Sequence, residues 1–252
     1  MTASVADKRP RSVPTRDVGA VALTSGRLSA WRRNHPEWLA LLIAAGAWVL
    51  LGGLLSATAG HHHGGQAGSY DQHLVMWVAM VPAMMLPTTL PHLRYVGFAT
   101  QEARTQRSVL LFSLGYGAVW LLLGLVVAAV PQPLTGWPLA LVVAAAGGWE
   151  LSRVKGRALK RCCRTWPVRY TGPAADASAV EFGLRHGAAC QLVGGPAMIA
   201  LMLAGHPWWA AVTLFAVMLG QKLITAPQRW SVAVALGFAA VAVAVAGTAV
   251  FD

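Results

Sequence analysis

After residue 36 the chain runs as long apolar blocks separated by short polar stretches. The first block covers 37–58, about 20 residues, enough to cross a bilayer core at about 1.5 Å per residue. Further blocks cover 73–90, 109–130, 139–151, 181–204, 208–223 and 230–251. The pattern predicts an all-α fold, a polytopic membrane helix bundle of about seven transmembrane helices. Residues 1–36 are basic and lack apolar periodicity, so they read as a largely disordered tail. Residues 37–251 read as the transmembrane domain, interrupted by a basic loop at 152–185. Pro87 and Pro91 are expected to end the second span. Residues 170–179 are expected to be a flexible linker before the fifth. The last block is an Ala/Val segment with no polar side chain in its middle, and reads as structural.

Composition sharpens the class. The chain is 56% hydrophobic and 12% charged, about half the charged share of a soluble domain. The net charge of +11 suggests nucleic acid only until the charges are placed. Lys and Arg gather in 1–36, 94–107, 153–185 and 222–229, and the connections between those groups hold none. This alternation is the positive-inside pattern. It predicts a multi-pass protein of the cell membrane with a cytoplasmic N-terminus. The expected partner of the basic residues is the lipid bilayer, and not nucleic acid. The segment from Ser152 to Arg164 reads as a surface helix facing anionic headgroups. Cys162, Cys163 and Cys190 all fall on the cytoplasmic side, so no disulfide framework is expected, and Cys162 and Cys163 read as idle thiols. Glu150 is expected to pair with Arg153.

The candidate chemistry is soft. Trp77–Pro87 reads W-x-x-M-x-x-A-M-M-x-P. His73, Met76, Met80 and Met84 are spaced 3, 4 and 4 apart, which places neighbours on adjoining parts of one helix face. Thioether sulfur and imidazole select Cu(I). Pro82 frees the carbonyl of Val78. His61, His62 and His63 lie among glycines in the loop before this span, where they would collect an ion. In the fifth block His186, Cys190, Gly194, Met198, Met202 and His206 recur every four residues. Each step drifts by about 40°, so adjacent members share a ligand set and the ends do not. Met198, Met202 and His206 form the best local trio, and Cys190 is a candidate thiol ligand. His92 reads as structural. Methionine also fills apolar helix contacts with no metal present, and the spacing alone leaves both readings open.

The Trp77–Pro87 stretch resembles the signature of the predicted metal-binding integral membrane proteins, a family long catalogued as a domain of unknown function. The likeness covers about 76–222. The family pattern has an aromatic–Gln pair and then a basic segment with two cysteines. Trp149, Glu150, Lys155 and Cys162 stand there, with Ala158 at the earlier cysteine. A Gly-x-x-Cys-x-Gly-Cys-Cys-Trp run ending in Met follows. Gly187, Cys190 and Met198 match it, while Leu192, Val193, Gly194 and Gly195 replace the rest. Gln221-Lys222 stands at the closing Glu-Lys pair. The resemblance implies copper as cargo and a chaperone or insertion role towards a copper-dependent membrane or extracytoplasmic enzyme, one member type being a chaperone for a tyrosinase-like oxidase. It implies no catalytic residues. A metal-free subunit or assembly factor of a membrane complex, and a small-solute or metal transporter, are the other readings of the same residues.

Overall fold

The computed structural model describes Trp31, residues 34–59, 69–223 and 227–251. His61, His62 and His63 and most of the basic tail lie outside the described residues. The chain divides into two units, 1–35 and 36–252. In the first, the His35 amide donates to the Trp31 carbonyl at 3.0 Å. All that follows concerns the second.

The described residues of that unit form helices, with no strand among them. In order they are α1 Trp38–Ala59, α2 Tyr70–Met85, α3 Leu90–Ala99, α4 Thr105–Val127, α5 Gly136–Glu150, α6 Arg153–Cys162, α7 Gly172–Leu203, α8 Trp208–Leu223 and α9 Pro227–Phe251. Among the described residues, five stretches are long and apolar enough to cross a membrane: Trp38–Ser56, Tyr70–Ala99, Glu102–Val127, Gly172–Leu203 and Trp230–Thr248. That is fewer than the seven expected. The blocks at 139–151 and 208–223 fold as α5 of 15 residues and α8 of 16, shorter than any of those five.

Two boundaries differ from the expectation for physical reasons. Pro87 and Pro91 do not end the second span. Pro87 opens a 3-10 turn, Pro87–Thr89, and Pro91 sits in the first turn of α3. An amide is not needed in a first turn, so proline is tolerated there, and the helical path runs on to Ala99. Residues 172–179 are not a linker. α7 starts at Gly172, with φ of +76°, and Pro173 lies in its first turn. Asp176 then accepts from Arg104 at 2.7 Å and pairs with Arg107 at 2.8 Å, fastening this extension to the start of α4.

α4 and α7 lie along one another and form the largest packed pair. Glycine makes this approach possible. A Cβ on Gly115 would come within 2.6 Å of the Val180 carbonyl oxygen, and one on Gly183 would overlap the Phe112 carbonyl oxygen. α2 is held between α1 and α4. The indole of Trp77 fills the space a Cβ on Gly124 would take, and its Nε1 donates to the Trp120 carbonyl at 2.9 Å. That anchor turns Met80 and Met84 into the interior, where both are fully buried. α5 packs on α9, and α6 packs on α7.

Gly183→Ala forces backbone against backbone and is expected to cost about 1–3 kcal/mol. Thermal unfolding in detergent measures this, and an unchanged midpoint would show that the two helices have room to spare.

Candidate metal centre

The centre grows from the basic end of α7. His186 and Cys190 are four residues apart, so they share one helix face, and that face is turned inwards: both are buried. The Cys190 Sγ lies 3.4 Å from His186 Nε2.

α6 supplies the third group. Its sequence is strongly two-faced. Ala158, Leu159 and Cys162 are buried, while Arg157, Lys160 and Arg161 face out. Ser152 caps its first turn by accepting from the Lys155 amide at 3.1 Å. The buried face lies on α7, which brings Cys162 Sγ to 2.7 Å from Cys190 Sγ. Both thiols are free, and the separation is longer than the roughly 2.0 Å of a disulfide. The contact with Cys190, and then burial, push the Cys162 thiol above the usual range. Cys162, His186 and Cys190 offer ligand atoms that all lie within 4.8 Å of one another.

A buried polar network sets the position of α6. Lys155 Nζ donates to Glu150 Oε1, and also to Gln221 Oε1 at 3.1 Å. Gln221 Nε2 donates to Glu150 Oε2 at 2.8 Å. The three side chains come from α6, α5 and α8, and all are buried. Glu150 therefore pairs with Lys155 and not with Arg153. Burial pulls the Lys155 ammonium down from its ordinary value, and the Glu150 carboxylate works against that. Removing one member of such a pair leaves an uncompensated buried charge.

Lys222 completes the surroundings. Its Nζ lies 3.4 Å from Cys190 Sγ and donates to Thr88 Oγ1 at 2.7 Å. Thr88 Oγ1 in turn donates to the Met85 carbonyl at 2.7 Å. On the other side His92 lies against His186, with ring centroids 4.1 Å apart. The expected structural part for His92 is thus a packing contact with His186.

The sulfur atoms expected from the sequence lie deeper. Met80, Met84, Met198 and Met202 are fully buried and belong to one core cluster with Cys162 and Cys190. Met85 and Met218 belong to the same cluster. Met76 is apart from them and packs with Ala47 and Leu51 of α1. His73 is half-buried at the start of α2. His206 is buried in the turn after α7, at the opposite end from Cys190. Burial, and secondarily the charge of His73, pull its imidazole down to about 4.

A family model for copper chaperones, PpoB2, matches residues 74–246. The chain belongs to the PpoB2 copper chaperone family. Comparison with curated proteins and with solved structures gives no match. The copper chaperone match takes in most of α2 and ends within α9, so it includes each member of the centre.

Sequence reasoning picked out Cys190 and passed over Cys162, His186 and Lys222 as site residues. His186 had a signal, its four-residue step to Cys190. Cys162 had only its match to a cysteine of the family pattern, because its place in space depends on α6 folding back against α7. Lys155→Met is expected to destabilise the protein by about 3–5 kcal/mol and to release α6. The readout is maleimide labelling followed by mass spectrometry. Cys162, slow to react beside the exposed Cys163, should become reactive, and continued protection would show that the Glu150–Lys155–Gln221 network does not hold α6 in place.

Proposed function

We propose that this protein is a multi-pass membrane carrier that takes up Cu(I) at Cys162, His186 and Cys190 and passes it to a copper-dependent enzyme at the membrane. The observation that carries the proposal is the buried group of two thiols and one imidazole with an ammonium beside it. Two thiolates and one neutral imidazole form a soft, low-coordinate ligand set suited to Cu(I).

Charge favours the monovalent ion. Two thiolates bring two negative charges, Cu(I) brings one positive charge, and Lys222 brings the other. The sum is zero, which a low-dielectric interior favours. Zn(II) in the same place leaves one positive charge uncompensated. His92 supports the imidazole from behind, as groups outside the ligand shell commonly do.

The basic face of α6 and the positive-inside distribution of Lys and Arg support a cytoplasmic position for this end of the bundle. Loading then occurs from the cytoplasm, where thiols stay reduced. Cys190 Sγ and His186 Nε2 lie 3.4 Å apart, and they are read as ligands of a carrier, not as the nucleophile and base of an enzyme.

Competition for Cu(I) against a chromogenic chelator, with purified protein in detergent, tests the assignment. Cys190→Ser is expected to weaken binding by more than about a hundredfold, beyond what loss of a group behind a ligand costs. Lys222→Met is expected to weaken Cu(I) by about 10- to 100-fold while leaving Zn(II) affinity equal or higher. Full Cu(I) affinity in Cys190→Ser would refute the centre. An equal loss for both metals in Lys222→Met would refute the charge argument.

A further inference from the structure

The far end of α7 carries a second group of soft donors. α7 closes with two hydrogen bonds that fold the chain back over its last turn. The Gly205 amide donates to the Met202 carbonyl at 3.1 Å, and the His206 amide donates to the Leu201 carbonyl at 3.2 Å. This is the Schellman arrangement. Gly205 takes the left-handed conformation it requires, with φ of +77°. His206 is left-handed as well, with φ of +57°, which is uncommon for a residue with a side chain.

The strained conformation keeps an imidazole inside the protein. His206 is 6% exposed, and its Nε2 has no hydrogen-bond partner among the described residues. A buried polar nitrogen left unpaired costs about 1–3 kcal/mol. A left-handed turn residue has no need of imidazole, and asparagine or glycine would adopt the conformation more easily. Two unfavourable features therefore converge on one nitrogen that is free to bind a ligand. His73 is half-buried in the first turn of α2, the helix whose Met80 and Met84 share a core cluster with Met198 and Met202 of α7. Met202 lies one turn back along α7 and is fully buried.

The interior between the two ends is lined with thioethers. Cys190 and Leu203 are about 20 Å apart along the helix. Met198 and Met202 of α7, with Met84 and Met80 of α2, occupy that length in the cluster that also holds Cys162 and Cys190.

We propose that His206, His73 and Met202 form a second Cu(I) site at the end of the bundle remote from the basic face, reached from the Cys162–His186–Cys190 centre through the buried methionines. The second site rests on the copper-carrier reading given above, but its ligands are separate. It has two imidazoles and a thioether and no thiol. Such a set keeps its donors in an oxidising space, where thiols are consumed.

The test uses the full chain in detergent, with His61, His62 and His63 changed to alanine and Cys163 to serine in every sample. Cu(I) alone is the probe, titrated against a chromogenic chelator. The parent protein is expected to bind two equivalents, and Cys162→Ser/Cys190→Ser one. Adding His206→Asn, which suits the left-handed turn, should remove that one. Met202→Leu should weaken it about tenfold while elution in gel filtration stays unchanged. Copper X-ray absorption of Cys162→Ser/Cys190→Ser should show both nitrogen and sulfur neighbours.

One equivalent in the parent and none in Cys162→Ser/Cys190→Ser would overturn the second site and leave the first standing. One equivalent that survives in Cys162→Ser/Cys190→Ser and vanishes with His206→Asn would do the reverse. A sulfur-free copper environment in Cys162→Ser/Cys190→Ser would overturn the part assigned to Met202.

Discussion

The contact between α4 and α7 is the constraint on which the rest depends. Apolar helices in hydrocarbon gain little from hiding apolar surface, and they associate where small residues let their backbones approach. Gly115, Gly183 and Gly187 provide that approach here. A Cβ at Gly187 would stand 3.0 Å from the Tyr116 carbonyl oxygen, so the crossing continues one turn beyond Gly183. The same crossing brings the rings of Phe112 and Tyr116 against His186, with centroids 5.8 and 5.7 Å away. His92 closes the remaining side. The imidazole is therefore positioned by a backbone contact between two helices and by aromatic packing, before any metal is considered. Trp77 extends the same principle to α2 through its seat on Gly124, and so sets the depth at which Met80 and Met84 enter the core.

Buried charge sets the second level of organisation. Ionisable groups within a membrane domain are costly and are kept where they pair or serve a function. Glu150, Lys155 and Gln221 satisfy one another across three helices, and this arrangement fits a locating role better than a stabilising one. It holds a short amphipathic helix against α7 in one register. Lys222 is adjacent in sequence to Gln221 but points into a different environment, towards Thr88 and Cys190. One pair of neighbouring residues on α8 thus joins the structural network to the metal centre. Displacement of α8 changes both the position of α6 and the charge beside Cys190.

Much of this was legible from the residues alone. The helical class follows from the apolar blocks, and the tryptophan and methionines of the Trp77–Pro87 motif announced a packed, sulfur-rich interior. What escaped was decided by tertiary structure. Pro87 and Pro91 look like stops, yet each begins a turn in which proline is harmless. Residues 172–179 look like a polar linker, yet Asp176 gains two arginine partners across the bundle and extends α7. Glu150 was expected to pair with Arg153, three residues away, and pairs with Lys155 because α6 turns back after Ser152. Cys162 lay in the least apolar part of the chain and gave no local sign that it faces Cys190. Periodicity reports which face of a helix is apolar. It does not report which two helices meet.

The methionines constrain how an ion would move. A Cu(I) ion that leaves two thiolates for thioethers exchanges charged ligands for neutral ones and carries its full charge into an apolar interior. Lys222 then repels it where before it balanced the thiolates. On the proposed reading, thiolate ligands would be reprotonated as the metal departs, which would tie release to proton supply at the basic end. The thioethers lower the cost of the passage by offering polarisable donors along it, but they favour neither end. Direction comes from what binds the ion last. A carrier built this way needs a receiving enzyme with a more favourable site, and it gains from a terminal donor that holds the ion weakly. A buried imidazole with an unpaired nitrogen, on a turn away from the thiols, has that character.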